Sequence, residues 1–83
     1  SFEKISAAID EIYSDDGVII LMDMGSAVMT TEMVLEMMED RKVKMVDCPV
    51  VEGAVAAAVV AAGGAPMEDV IQVAEAAKTT AKF

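Results

Sequence analysis

Five consecutive apolar residues, Val18-Ile19-Ile20-Leu21-Met22, run directly into Asp23-Met24-Gly25-Ser26. Unbroken rather than alternating hydrophobicity suits a strand covered on both faces, as in a parallel sheet. A parallel sheet needs crossover connections, and the flanking residues supply helical patterns on either side. Before the run, Phe2, Ile5, Ile9 and Ile12 recur at spacings of three and four, which predicts a helix from Ser1 to Tyr13. Ser14-Asp15-Asp16-Gly17 makes the intervening turn.

After the run, a helix is expected from near Ser26 to Glu39, with Met29, Met33, Val34, Met37 and Met38 on its inner side. Arg41 and Lys42 favour its C-terminal dipole. Val43 to Val46 reads as a second strand, ended by Asp47-Cys48-Pro49. An Ala/Val helix from Glu52 to Ala62 is stopped by Gly63-Gly64. Pro66 opens a last helix with Glu68 and Asp69 in its first turn and Val70, Ile71, Val73, Ala74 and Ala77 on its apolar side. The fold class is therefore α/β, a partial doubly wound parallel sheet with helices on both faces. Two strands give four helices too little sheet to cover. The expectation is one domain over residues 1–83 that lacks at least one N-terminal strand.

Composition narrows the chemistry. The 83 residues carry six basic against fifteen acidic side chains, a formal net charge of −9. Such a surface repels nucleic-acid phosphates and anionic lipid, so neither nucleic acid nor membrane is an expected partner. The longest apolar stretch, Ala54 to Ala65, is too short to span a bilayer. A cytoplasmic setting is the default expectation. One Cys and no His exclude an internal disulfide and argue against a zinc site, and no metal or cofactor is expected.

In an open α/β sheet, function gathers at the carboxyl ends of the strands. Two loops qualify. In the first, Gly25 permits close backbone approach, Ser26 caps a helix or donates to an anion, and Asp23 is placed to orient a histidine or hold a cation. In these residues alone, a plain turn and helix cap at Ser26 or Thr30 is the commoner meaning. In the second, Val50 and Val51 stand in a loop where polar residues belong, which suggests either a contact surface or packing beneath the following helix. Packing is the commoner of the two. Cys48 has no His to activate it and reads as a buried small hydrophobe. Asp15-Asp16 precede the strand rather than follow it, so they make a solvated turn and not an aspartyl-phosphate site. The methionine stripe at helical spacing reads as core.

Taken together, Val18 to Ala27, then Glu32 and Leu35-Glu36, then Cys48-Pro49-Val50-Val51-Glu52-Gly53-Ala54 resemble the phosphotransfer subunit of the phosphoenolpyruvate-dependent dihydroxyacetone kinase. That subunit is related to the mannose-type IIA domains of the sugar phosphotransferase system. The resemblance runs from about Ile5 to Ala77. It implies a homodimer and a phosphotransferase in which a histidine takes phosphate from the phosphocarrier protein HPr. The histidine then passes it to ADP on the nucleotide-binding subunit of the kinase. On this likeness Asp23 orients the histidine, the backbone at Gly25 and Ser26 receives phosphoryl oxygens, and Val50, Val51 and Glu52 lie on the partner rim. The chain holds no histidine, so on the same likeness it is inactive by itself. A rival expectation is a small acidic carrier or interaction module, similar to the all-helical acyl carrier proteins, with Ser26 at a helix start.

Overall fold

The computed structural model describes residues 1–23 and 27–78. In chain order the elements are α1 (Phe2–Ile12), β1 (Val18–Met22), α2 (Ala27–Glu36), β2 (Val43–Asp47), α3 (Val50–Ala62) and α4 (Met67–Ala76). β1 and β2 pair in parallel, with Val18 opposite Val43 and Met22 opposite Asp47. The two parallel strands rule out an all-helical carrier bundle.

Alternate residues of the sheet feed two separate cores. On one face Val18 and Val43 pack with Ile9 of α1 and with Val34 and Met38, supported by Phe2, Ile5, Tyr13, Ile20 and Leu35. On the other, Val46 and Cys48 pack with Ala57 of α3 and with Val70 and Ala74 of α4, supported by Ile19 and Leu21. Successive strand residues point to opposite faces, so a continuous apolar run serves both layers at once. The helices do lie on both sides of the sheet, as the pattern of β1 requires.

Local chemistry sets the boundaries. The Ser1 hydroxyl accepts from the Lys4 N–H at 3.4 Å and caps α1. Gly17 turns the chain into β1 at φ +98°, a left-handed conformation open to glycine. The Gly17 N–H donates to the Ser14 carbonyl at 2.9 Å and the Asp16 N–H to the Ser14 hydroxyl at 3.3 Å. Asp15 and Asp16 are exposed in that turn, as expected. Pro66 precedes α4, whose first turn holds Glu68 and Asp69.

Several expectations are corrected. The helix predicted to reach Glu39 ends at Glu36, and residues 37–40 form tight turns in which Met37 and Met38 donate to Val34 and Leu35. Met29, Met33 and Met37 do not share its inner side, whereas Met38 does. Thr31, Val34 and Met38 face the sheet, whereas Met29, Met33 and Met37 recur every fourth residue on the opposite side and are each more than half exposed. Both sides of α2 are apolar, and the sheet can accept only one of them. Finally, α3 starts at Val50 rather than Glu52, so Val50 and Val51 occupy a first helical turn and not a loop. They do not pack beneath the helix, since both are exposed. Pro49, with φ already at −59°, stands immediately before that turn and favours its initiation. Ile12, expected on the inner face of α1, is also exposed.

Candidate functional site

Because β1 and β2 are parallel, both strand-to-helix junctions open at the same end of the sheet. β1 delivers Asp23, and β2 delivers Asp47, Cys48 and Pro49. The Cys48 N–H donates to the Met22 carbonyl at 3.1 Å, which extends the ladder by one bond and sets the two junctions side by side. The first turns of α2 and α3 begin here too. Helix N-termini present unshared N–H groups and the positive end of the dipole, the ordinary means of holding an anion. No side chain caps α3 at Pro49. Thr31 ties α2 to the tip of β1, its buried hydroxyl lying 3.9 Å from the Met22 sulfur.

Cys48 is buried. Burial pushes its thiol above the ordinary value, and the negative charges of Asp47, Asp23 and Glu75 push in the same direction while Lys78 opposes them. The thiol stays neutral and acts as packing, which agrees with the sequence. Lys78 donates to Asp47 Oδ2 at 2.9 Å. The rim is thus acidic, with one lysine bound to one of its acids.

Of the residues singled out in the sequence, Asp23 is exposed directly after β1, and Val50, Val51 and Glu52 form the exposed first turn of α3. The structure brings these two groups to one end of the sheet. Gly25 and Ser26 lie outside the described residues. A further residue, Gly53, was not anticipated. A methyl group there would come 2.5 Å from the Cys48 sulfur and 3.3 Å from its Cβ. Only a glycine lets the first turn of α3 sit directly on the end of β2. The signal lies in the five-residue spacing from Cys48 to Gly53, which carries a helix across a strand end with no room for a side chain.

The family described as the PTS system fructose IIA component, the IIA component of a phosphotransferase system, matches residues 1–71. The chain belongs to this family. A protein of Pantoea ananatis named "PEP-dependent dihydroxyacetone kinase, phosphoryl donor subunit DhaM" is 40% identical over 74 residues, covering 86% of this chain and 16% of that protein. The Escherichia coli protein of the same name is 41% identical over 71 residues, 82% of this chain and 15% of its own length. The one from Providencia stuartii is 34% identical over 77 residues, 89% of this chain and 16% of its own. The chain therefore spans about a sixth of the length of these relatives. No solved structure matches it. Among the described residues, no helix is long and apolar enough to cross a membrane.

Proposed function

We propose that this chain is part of a phosphoryl-relay subunit of a dihydroxyacetone kinase, the part that braces a phosphorylated histidine without containing it. The observation that carries the reading is the placement of Asp23 and the N-terminal turn of α3 at the same end of a parallel sheet, in a member of the IIA family. The names of the relatives, each a phosphoryl donor subunit, point to the same kinase. In this reading residues 1–83 form one IIA domain that is incomplete at its N-terminus, and the histidine stands on a further strand outside them.

Asp23 accepts a hydrogen bond from one imidazole nitrogen, fixing the tautomer and leaving the other nitrogen free to attack phosphorus. The carboxylate also stabilises the imidazolium-like charge that develops as the N–P bond forms. Backbone N–H groups at Gly25, Ser26 and the start of α2 receive the phosphoryl oxygens. The phosphate comes from HPr and leaves for ADP on the nucleotide-binding subunit. Val50, Val51 and Glu52 form the rim that these partners touch. The subunit works as a homodimer in the cytoplasm and uses no cofactor of its own.

The test begins with the 83-residue chain incubated with labelled phosphoenolpyruvate, enzyme I and HPr. With no histidine to accept it, the chain is expected to stay free of acid-labile label. A stable or labile phosphate on these residues would contradict the relay.

A further inference from the structure

The methionines of this chain serve two different environments. Met38 lies in the core beneath α1 and α2, and Met67 is buried at the start of α4, with 9% and 7% of their surface exposed. Met29, Met33 and Met37 are 74%, 56% and 75% exposed. Residues four apart share one side of a helix, so the three stand in a row along the outer side of α2. Met37 lies just past the last residue of α2, and its N–H donates to the Val34 carbonyl, which carries the row through the helix end. In a core, methionine is a flexible filler of gaps. Along this row the side chains meet water, and what distinguishes them from leucine there is the reactivity of sulfur.

We propose that the outer side of α2 is a site of reversible oxidation, where the thioethers of Met29, Met33 and Met37 take oxygen from hydrogen peroxide while the fold stays intact. A sulfur lone pair attacks one peroxide oxygen and the O–O bond breaks. The proton on the transferred oxygen passes to the departing hydroxide. Each event oxidises one sulfur, reduces one peroxide, and leaves one sulfoxide and one water. The product is polar where the thioether was apolar, and it is the form that methionine sulfoxide reductases return to methionine.

The two sides of α2 explain why the fold survives. Thr31, Val34 and Met38 hold the helix to the sheet, and a sulfoxide at Met38 would put a polar group into an apolar core. On the outer row the same group stays in water and costs no burial. Charge selects the oxidant. Glu32 and Glu36 stand exposed on the same helix, in a chain of net charge −9, which repels anionic oxidants and leaves neutral hydrogen peroxide unhindered. The single thiol does not compete, because Cys48 is buried and burial keeps it neutral. The inference is independent of the phosphoryl relay.

The test adds hydrogen peroxide to the chain at neutral pH and reads oxygen uptake methionine by methionine, by mass spectrometry of its peptides. Met29, Met33 and Met37 are expected to oxidise at least about tenfold faster than Met38 and Met67, with an unchanged circular dichroism spectrum. A methionine sulfoxide reductase is expected to reverse the change. In concentrated urea the five rates should converge, since the fold alone sets them apart. Equal rates without urea, or a fold lost as the row is oxidised, would overturn the proposal. Rates that differ as much in urea would trace the contrast to local sequence and overturn it too, as would sulfoxides that the reductase leaves in place. None of these outcomes bears on phosphorylation.

Discussion

The two faces of the sheet are packed by opposite strategies. Beneath α1 and α2 the core is made of large side chains, Ile9, Val34 and Met38 against Val18 and Val43. Its margin is fixed by polar contacts. The Lys42 N–H donates to the Tyr13 hydroxyl at 2.9 Å, Arg41 pairs with Asp10, and the Arg41 guanidinium lies 4.9 Å from the centre of the Tyr13 ring. Beneath α3 and α4, Val46 and Val70 pack among small residues, Cys48, Gly53, Ala57 and Ala74, which allow backbones to approach closely. The first face gains from bulk and is sensitive to losing it. The second gains from proximity and is sensitive to added volume. The candidate site is built on the second, where Gly53 seats the N-terminus of α3 on the end of β2, and the position of that helix depends on a missing side chain.

The sharpest way to break this comparison is to add one methyl group. Gly53→Ala should cost about 3 kcal/mol in a denaturant titration, the upper part of the range for overpacking, because the new carbon meets a side chain held by both α3 and β2. If proximity to Cys48 is the cause, Cys48→Ala in the same molecule should recover more than half of that loss. Two independent, additive losses would show that the close approach is not what sets the position of α3. On the other face, Val34→Ala should cost about 2 kcal/mol through the lost burial and the cavity left behind. A negligible cost there would mean that the large-residue layer repacks freely, and the contrast would fail.

Smaller effects sharpen the same contrast. Burial raises the pKa of Cys48 above its unfolded value, so the neutral thiol is favoured in the fold. The associated stability is fully present below the pKa of the unfolded thiol and is lost as pH rises through the folded one. Stability should therefore fall on the alkaline side, and less so in Cys48→Ala, when thermal midpoints are followed from pH 7 to pH 10. A thiol reagent should label Cys48 only on unfolding. The smallest change is expected from Arg41→Ala. Its pair with Asp10 is exposed and screened, and a shift that vanishes at high salt would confirm that this margin contributes little to the core.

Much of this architecture is legible in the sequence. The unbroken run Val18 to Met22 announces a strand buried on both sides, and its junction with Asp23 marks the end of the sheet where the site lies. β2, with Lys44 and Asp47 exposed among Val43 and Val46, has the look of an edge strand by comparison. What sequence periodicity could not decide is which side of an all-apolar helix meets the sheet. On α2 the methionines and the line through Val34 and Met38 are equally hydrophobic. The sheet took Thr31, Val34 and Met38 and left Met29, Met33 and Met37 outside. α3 begins two residues ahead of Glu52 because Val50 and Val51, which stand after Pro49 where a loop is expected, are its first turn. Asp23, at a strand end, was visible. Gly53 was not, because its role lies in a contact with Cys48 that only the folded chain creates.

The central claim is that Asp23 and the adjoining helix N-termini brace a histidine supplied by a neighbouring strand. The most direct measurement joins a histidine-bearing strand from a phosphoryl donor subunit of the same family to Ser1 of this chain. The hybrid is then assayed for acid-labile phosphate with phosphoenolpyruvate, enzyme I and HPr. The account predicts labelling of the hybrid, and a slower rate, by a factor of ten or more, in its Asp23→Asn variant with the fold intact. Labelling at an unchanged rate in that variant, or a folded hybrid that takes no phosphate, would contradict it.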